Sequence, residues 1–255
     1  MRNLIKAELF KLQRNKTFWV LCLTITGLSA LLHYLIIIGW WQTSESAFDK
    51  VGLSELNALS TFTLPLLFNL IVSSLAGFFI SIEFSQSGVI KNQVISGSKR
   101  SHILMAKFLV FSLGAIIVTI VIPLVTGIIE VILLGHGDIL SSPNMLYLGR
   151  VLGLFILQFL GYTAFIMLLA IITEDSGKTI IFSVLFTIMM YAAEKLPKSP
   201  FINMLYENSI FHQFSSVFKY KITNDEIMQS ILIALVTLFI ITICGVFVFK
   251  RKEIK

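Results

Sequence analysis

The chain has 255 residues, of which 56% are hydrophobic and only 13% are charged, and its formal net charge is +6. Soluble domains contain about 25% charged residues, so this composition excludes an ordinary soluble protein, and the long apolar runs indicate a polytopic membrane protein. The basic excess does not indicate nucleic acid binding, and Cys22 and Cys244 lie inside apolar runs, where they imply neither a disulfide framework nor a metal site.

Residues 1–17 predict an amphipathic helix that lies along the membrane surface. Its apolar residues Ile5, Leu9 and Leu12 recur at helical spacing, and the basic residues of the segment fall away from that stripe. A cleaved signal peptide is disfavoured, because the following apolar run is longer than a signal h-region and no small-residue cleavage site follows it. We therefore interpret that run as the first membrane span.

The remainder, residues 18–255, predicts a domain of six membrane-spanning helices. The fifth span is short, and a re-entrant hairpin is the alternative for it. Of the 20 Lys and Arg residues, 14 lie on the side that holds both termini, which predicts that both termini are cytoplasmic. The predicted spans are about residues 18–39, 61–82, 106–129, 151–173, 178–194 and 227–249.

The loop between the second and third spans, "EFSQSGVIKNQVISGSKRSHILMAK" at residues 83–107, has the pattern of a structured element. Apolar residues at helical spacing predict a short amphipathic helix, which Gly97 can end because glycine tolerates the left-handed conformation. A short helix with an apolar side on the cytoplasmic face is typical of a docking element, so we expect it to bind another protein. The long outer segment 195–226 is too apolar for a solvated loop, and it predicts short helices that dip into the outer leaflet or pack on the bundle.

Two patterns resemble the ABC-2 type permeases of bacterial ATP-binding-cassette exporters. The first is E-F-x-x-x-G-x-I-K-N from Glu83, followed by an S-G-x-x-R tail that ends at Lys107. The second is the opening helix E-x-x-K-x-x-R-x-K-x-x-W, which runs from Glu8 to Trp19. Between Glu83 and Gly88 this chain has one residue more than the commonest family spacing. The length and the six-span layout are also similar to a minimal member of that family.

The resemblance implies an all-α integral membrane fold of the ABC-2 (type V exporter-like) class, with an interfacial helix and a short coupling helix. It also implies two permease chains, as a homodimer or with a related paralogue, two ABC ATPase subunits beneath them, and a location in the bacterial cytoplasmic membrane. ATP and Mg²⁺ would be bound by the partner ATPase and no cofactor by this chain. The residues that it assigns to ATPase coupling are Glu83, Gly88, Ile90, Lys91, Asn92, Gly97 and Arg100, and those of the interfacial helix are Glu8, Lys11, Arg14 and Lys16.

Three polar residues inside the spans, Asn69, Ser73 and Gln158, are candidates for a translocation path. The alternative, which we favour, is that they form hydrogen bonds between helices. Pro65 and Pro123 predict kinks in the second and third spans.

The stretch "DSGKT" at residues 175–179 matches the end of a phosphate-binding loop, but the required first glycine is replaced by Ile172. We therefore predict a tight turn between the fourth and fifth spans rather than a nucleotide site.

The function that the resemblance implies is the export of hydrophobic or amphipathic substrates, in particular peptides such as toxins or antimicrobial peptides, or immunity to them. The alternatives are an ABC exporter of drugs, ions or lipid-linked glycans, and a stand-alone secondary transporter or channel. An intramembrane enzyme is disfavoured because the sequence has neither a zinc-protease signature nor a nucleophile elbow.

Overall fold

The computed structural model describes residues 1–41, 46–85, 89–195 and 200–252, so the predicted coupling residue Gly88 lies outside the described residues. Within these ranges the chain consists of helices and turns without a strand, which confirms the all-α prediction. The helices in chain order are α1 (Arg2–Arg14), α2 (Lys16–Ile37), α3 (Ala58–Phe62), α4 (Pro65–Ser85), α5 (Val89–Ile95), α6 (Arg100–Leu133), α7 (Ser142–Thr173), α8 (Ser176–Lys195), α9 (Pro200–Glu207), α10 (Ile210–Ser216) and α11 (Asn224–Arg251).

Six of these helices, namely α2, α4, α6, α7, α8 and α11, are long and apolar enough to cross a membrane. Two of them extend well beyond the predicted spans, since α6 has 34 residues and α7 has 32. The length of an apolar run reflects only the thickness of the hydrocarbon core, whereas the helix can continue into the headgroup region. The predicted spans are therefore shorter than these two helices. The fifth predicted span is one continuous helix of 20 residues, α8, as a full span requires.

Each of the helices α4 and α6 contains one wide π-helical turn, at Gly77–Ser81 and Ile117–Val121 respectively. The predicted kink at Pro65 is wrong, because Pro65 is the first residue of α4, where its missing N–H costs nothing. Pro123 lies two residues after the last residue of the π-helical turn of α6, close to a point where the regular hydrogen-bond ladder is already interrupted.

The two ends of the helix bundle are built differently. At one end, which we call the terminal end, α1, α5, the turn between α7 and α8, and the C-terminal residues come together. At the opposite end the ring of Phe48 lies 5.8 Å from that of Phe218, and the hydroxyl of Tyr147 donates to the Phe218 carbonyl at 2.8 Å. At that opposite end, aromatic side chains therefore join segments that are distant in the chain.

Within the segment between α8 and α11, the short helix α10 packs on the bundle, as one of the two predictions for this segment stated. Helix α10 buries Phe211 and Phe214. The ring of Phe214 lies 4.8 Å from that of Phe68 in α4 and 5.5 Å from that of Phe155 in α7. This short helix therefore contributes to the same aromatic core as the spans.

Candidate functional site

The terminal end contains a cluster of two carboxylates and two ammonium groups, Glu8, Lys11, Glu83 and Lys107. The Lys107 nitrogen lies 3.1 and 3.0 Å from the two carboxylate oxygens of Glu8, and it also contacts Glu83. The Lys11 nitrogen lies 2.9 Å from Glu8 Oε1 and 2.8 Å from Glu83 Oε1. Each acid thus contacts both bases, and the cluster has no net charge.

The cluster is largely withdrawn from solvent. The side chains of Lys107 and Glu8 are 0% and 1% exposed, that of Glu83 is 13% exposed, and that of Lys11 is 29% exposed. Buried charges are tolerated only when they are paired and hydrogen-bonded. The four residues therefore form one unit, in which the loss of any member leaves a partner uncompensated.

One face of α1 contacts this cluster. Glu8 and Leu12 are one turn apart and are both buried, so they share the inner face of the helix. Leu12 packs on α6 at Gly114, where an added Cβ would lie 3.1 Å from a Leu12 methyl group. The predicted arrangement of α1 is thus wrong in one respect, because its apolar stripe packs partly on the protein and Lys11 turns inward.

Helix α5, which the sequence predicts to be a coupling helix, is connected to the cluster through Gln93, whose Nε2 donates to Glu8 Oε1 at 3.1 Å. Ile90 of α5 is 3% exposed and belongs to the core. Lys91 and Asn92 are exposed on the other side of the helix, and Ile95 is 73% exposed. Helix α5 therefore has one face on the bundle and one free face.

Gly97 ends α5 as the sequence predicts. Its φ is 85°, in the left-handed region that favours glycine. Its amide donates to the Val94 carbonyl at 3.0 Å, and the Ser98 amide donates to the Gln93 carbonyl at 3.3 Å. This pair of bonds is a Schellman motif, which satisfies the last carbonyls of the helix.

The structure does not bring Arg100 to the free face of α5. Its guanidinium donates to the carbonyls of Phe249, Lys250 and Lys252, at 3.3, 2.7 and 2.9 Å. These are unsatisfied carbonyls at the end of α11. Arg100 therefore caps the last helix and ties it to the first residue of α6.

The "DSGKT" stretch forms the tight turn that the sequence predicts. Glu174 adopts a left-handed conformation with φ 52°, and Asp175 Oδ1 accepts from the Lys178 amide at 2.8 Å at the start of α8. The hydroxyl that a phosphate loop would use, that of Thr179, contacts α4 instead, since Thr179 Oγ1 lies 2.8 Å from Ser81 Oγ. Ser176 Oγ also contacts α4 and donates to the Gly77 carbonyl at 2.7 Å.

Arg14 and Lys16 also lie away from the charged cluster. Arg14 is exposed, and its guanidinium lies 4.3 Å from the centre of the Phe10 ring. Lys16 is exposed at the first position of α2. Of the four residues predicted for the interfacial helix, only Glu8 and Lys11 thus reach the cluster.

The three polar candidates in the spans are fully buried between helices. Asn69 Oδ1 accepts from the hydroxyl of Tyr162 at 2.5 Å, and Gln158 Nε2 donates to Ser230 in α11 at 2.7 and 2.9 Å. Ser73 Oγ has no hydrogen-bond partner among the described residues. The bonds of Asn69 and Gln158 are those of interhelical contacts, and a translocation role for the three residues stays a prediction.

The charges of the cluster perturb the pKa values of its two residues in α1. Burial opposes ionisation of Glu8, but the neighbouring ammonium groups of Lys107 and Lys11 outweigh it and lower the pKa of the carboxyl below its usual value. Burial likewise opposes the charged form of Lys11, but the carboxylates of Glu83 and Glu8 raise its pKa. Both residues are therefore ionised at neutral pH.

Two members of this site were not assigned from the sequence, Lys107 and Gln93. Lys107 stands inside the run "ILMAKFLVF" at the beginning of the third span. A lysine in such a run requires a buried counter-charge, and this was the signal that could have identified it. For Gln93 the sequence has no comparable signal, because a glutamine on a short amphipathic helix is ordinary.

Comparisons with known proteins agree with this architecture. The sequence model of a family described as "ABC-2 family transporter protein" matches residues 4–191. The matched region begins in α1, contains all four residues of the charged cluster and ends within α8. No curated protein and no solved structure matches the chain.

Proposed function

Because the chain belongs to the ABC-2 transporter family and is a membrane permease of an ABC transporter, we propose that it is the transmembrane subunit of an ATP-driven exporter. The observation that supports this proposal best is the connection of α5 to the charged cluster through Gln93. This connection links a helix with a free face to α1 and to the ends of two spans.

The free face of α5 is the proposed docking surface for the ATPase. Lys91, Asn92 and Ile95 are exposed on it and combine a charge, an amide and an apolar side chain. Polar and apolar groups on one small patch suit a protein partner whose groove excludes water from the apolar side chain. ATP and Mg²⁺ would be bound in that partner, and two ATPase subunits would serve two permease chains.

The charged cluster is the proposed transmission element. A displacement of α5 acts on Glu8 through Gln93, and Glu8 is held by Lys107 at the start of the third span. Lys107 in turn contacts Glu83 at the end of the second span. Separating buried charges is costly, so the four elements are expected to move as one body when the ATPase subunits close on ATP.

The proposed substrates are hydrophobic or amphipathic peptides, moved from the cytoplasmic to the outer side. The support is the compact build of the chain, in which every described segment outside the spans is a short helix or a turn. Both termini would face the cytoplasm, since the basic residues concentrate at the terminal end. Export of drugs, ions or lipid-linked glycans is the other outcome that a transport assay would reveal.

The first experiment is purification of the tagged chain from its native membrane in mild detergent. We expect an ATPase subunit with a complete phosphate-binding loop to co-elute, and to be lost when the free face is changed by Lys91→Glu with Ile95→Glu. Lys178→Glu is the matched control, because Lys178 is exposed at the same end but lies on α8.

Co-elution of the ATPase with the Lys91→Glu and Ile95→Glu variant would contradict the docking surface. Elution of the wild-type chain without an ATPase, under conditions that trap the ATP-bound state, would favour a stand-alone transporter or channel instead.

A further inference from the structure

The outer face of α1 carries basic residues at regular intervals. Arg2, Lys6, Phe10 and Arg14 follow one another every four residues, and all four are exposed. Residues at this spacing lie on one face of a helix. The only acidic residue of α1, Glu8, is buried on the opposite face, so this basic face contains no carboxylate.

The basic residues of this face have no ion-pair partner among the described residues. Among the bases of α1, Lys11 alone forms ion pairs with described residues, and it belongs to the charged cluster. The guanidinium of Arg14 contacts only the Phe10 ring among the described groups, at 4.3 Å from its centre. The face is thus positively charged, and none of the described residues compensates it.

The basic face lies beside the lipid-facing side of the first span. Trp19 of α2 is 53% exposed, and its indole Nε1 donates to the carbonyl of Gln13 in α1 at 2.7 Å. Tryptophan at the end of a span marks the headgroup level of the membrane. By helical spacing Gln13 lies on the same face of α1 as Arg2 and Phe10. The basic face is therefore at the headgroup level of the membrane.

Phe10 also indicates a membrane surface rather than water. It is 53% exposed and is covered on one side by the Arg14 guanidinium. The same arrangement recurs at the end of the last span, where the guanidinium of Arg251 lies 4.1 Å from the centre of the exposed Phe247 ring. An aromatic ring with a cation over it fits the boundary between acyl chains and headgroups.

We propose that the basic face of α1 binds the phosphate groups of anionic lipids. Arg2, Lys6 and Arg14 supply the positive charge, and Phe10 enters the outermost part of the acyl region. A row of cations at a membrane surface attracts anionic lipid, and each Lys or Arg contributes to this preference. The opposite face remains on the charged cluster, so the lipid surface and the cluster hold α1 from two sides.

The test uses Trp19 as a reporter in the full-length chain. The chain has three tryptophans, so Trp40→Phe with Trp41→Phe leaves Trp19 alone. This variant is placed in vesicles of phosphatidylcholine with a minor fraction of brominated phosphatidylglycerol, or of brominated phosphatidylcholine. Bromine quenches tryptophan on contact, and the ratio of the two quenching efficiencies measures the preference for anionic lipid near Trp19.

We expect phosphatidylglycerol to be preferred on the order of tenfold at low salt, and the preference to fall as salt is added. Changing Arg2, Lys6 and Arg14 together to Gln should bring the ratio close to one. The charge-conserving variant Arg2→Lys, Lys6→Arg and Arg14→Lys should retain the preference. Changing the exposed residues Lys50, Lys195 and Lys221 to Gln should also retain it, because they lie on other segments.

A ratio near one in the wild-type chain would overturn the proposal. So would an unchanged preference in the Gln variant of α1. If that variant keeps its lipid preference but no longer retains an ATPase subunit, the basic face belongs to the partner protein instead. Because the lipid assay contains no ATPase, its result does not depend on the proposed transport function.

Discussion

Lys107 and Glu8 are 99 residues apart in the chain, yet the Lys107 nitrogen lies 3.0 and 3.1 Å from the two Glu8 carboxylate oxygens with both side chains inaccessible to solvent. The pair joins α1 to the beginning of the third span. Since a buried charge without its partner is far less stable than a buried pair, loss of either residue should lower the stability of the terminal end.

We expect Lys107→Met to be the most destabilising single change in the charged cluster, because it leaves Glu8 and Glu83 facing each other with only Lys11 between them. The cost should be about 3–5 kcal/mol, which is typical for breaking a buried ion pair. Thermal unfolding in mild detergent measures it. Lys11→Met is the matched control and should cost less, because the Lys11 side chain is 29% exposed.

Adding Glu8→Gln to Lys107→Met should recover much of the loss, since Lys11 and Glu83 then remain as one compensated pair. Equal destabilisation by Lys107→Met and Lys11→Met would contradict the assignment of Lys107 as the centre of the cluster.

The contribution of the cluster to stability should be constant near neutral pH and fall at both extremes. The pKa of Glu8 is below its ordinary value of 4.5, so the stabilisation is complete above that value and is lost as the pH falls through the lowered pKa. The pKa of Lys11 is above 10.5, so its stabilisation is complete below that value and is lost as the pH rises through the raised pKa.

The measurement is the midpoint of thermal unfolding against pH, for the wild type and for the variant Glu8→Gln with Lys107→Met. The difference between the two curves should shrink in acid. A difference that changes within the neutral range would indicate that another titrating group dominates.

Arg100→Gln should loosen the end of the last helix, because three carbonyls of residues 249–252 lose their donor. Hydrogen bonds to a charged donor contribute about 1.5–3 kcal/mol, so amide exchange in this segment should accelerate by roughly tenfold or more. Hydrogen exchange followed by mass spectrometry measures it, with Lys99→Gln as the control, since Lys99 is adjacent and exposed.

Exchange at the control rate in Arg100→Gln would show that the guanidinium does not hold the helix end. This prediction also affects the interpretation of transport assays. Because Arg100 holds the end of α11, loss of coupling in an Arg100 variant does not by itself identify a docking surface. The variants of Lys91 and Ile95 test the docking surface instead.

Gly127→Ala should destabilise the contact between the first and third spans. A Cβ at this position would lie 2.4 Å from Nε2 of His33, which is fully buried. Overpacking of this kind costs about 1–3 kcal/mol, and adding His33→Ala should remove most of that cost. Gly153→Ala on α7 is the control, because no atom lies within 4 Å of its added Cβ.

Thermal unfolding of these three variants and the wild type completes this comparison. If Gly127→Ala is as stable as Gly153→Ala, the two spans are not in the close contact that the structure shows.

Local rules were sufficient for some parts of the site. The end of α5 at Gly97 could be predicted because it depends only on the backbone conformation of that glycine. The turn at "DSGKT" could be predicted because membrane-length apolar runs flank this short stretch on both sides. The inward position of Lys11 could not be predicted in this way. The residues around Lys11 in α1 would equally suit a lysine that is exposed to solvent. Its partner Glu83 is remote in the chain, so no local pattern indicates the ion pair.

The number and approximate position of the spans were determined by the sequence itself. In hydrocarbon every backbone group must be satisfied within its own helix, so a run of about 20 apolar residues is a sufficient signal. The ends of α6 and α7, the orientation of α1 and the closure of the cluster around Lys107 were decided only by the tertiary structure. Whether a charge is buried depends on which distant charge reaches it, because desolvation is compensated only at contact distance.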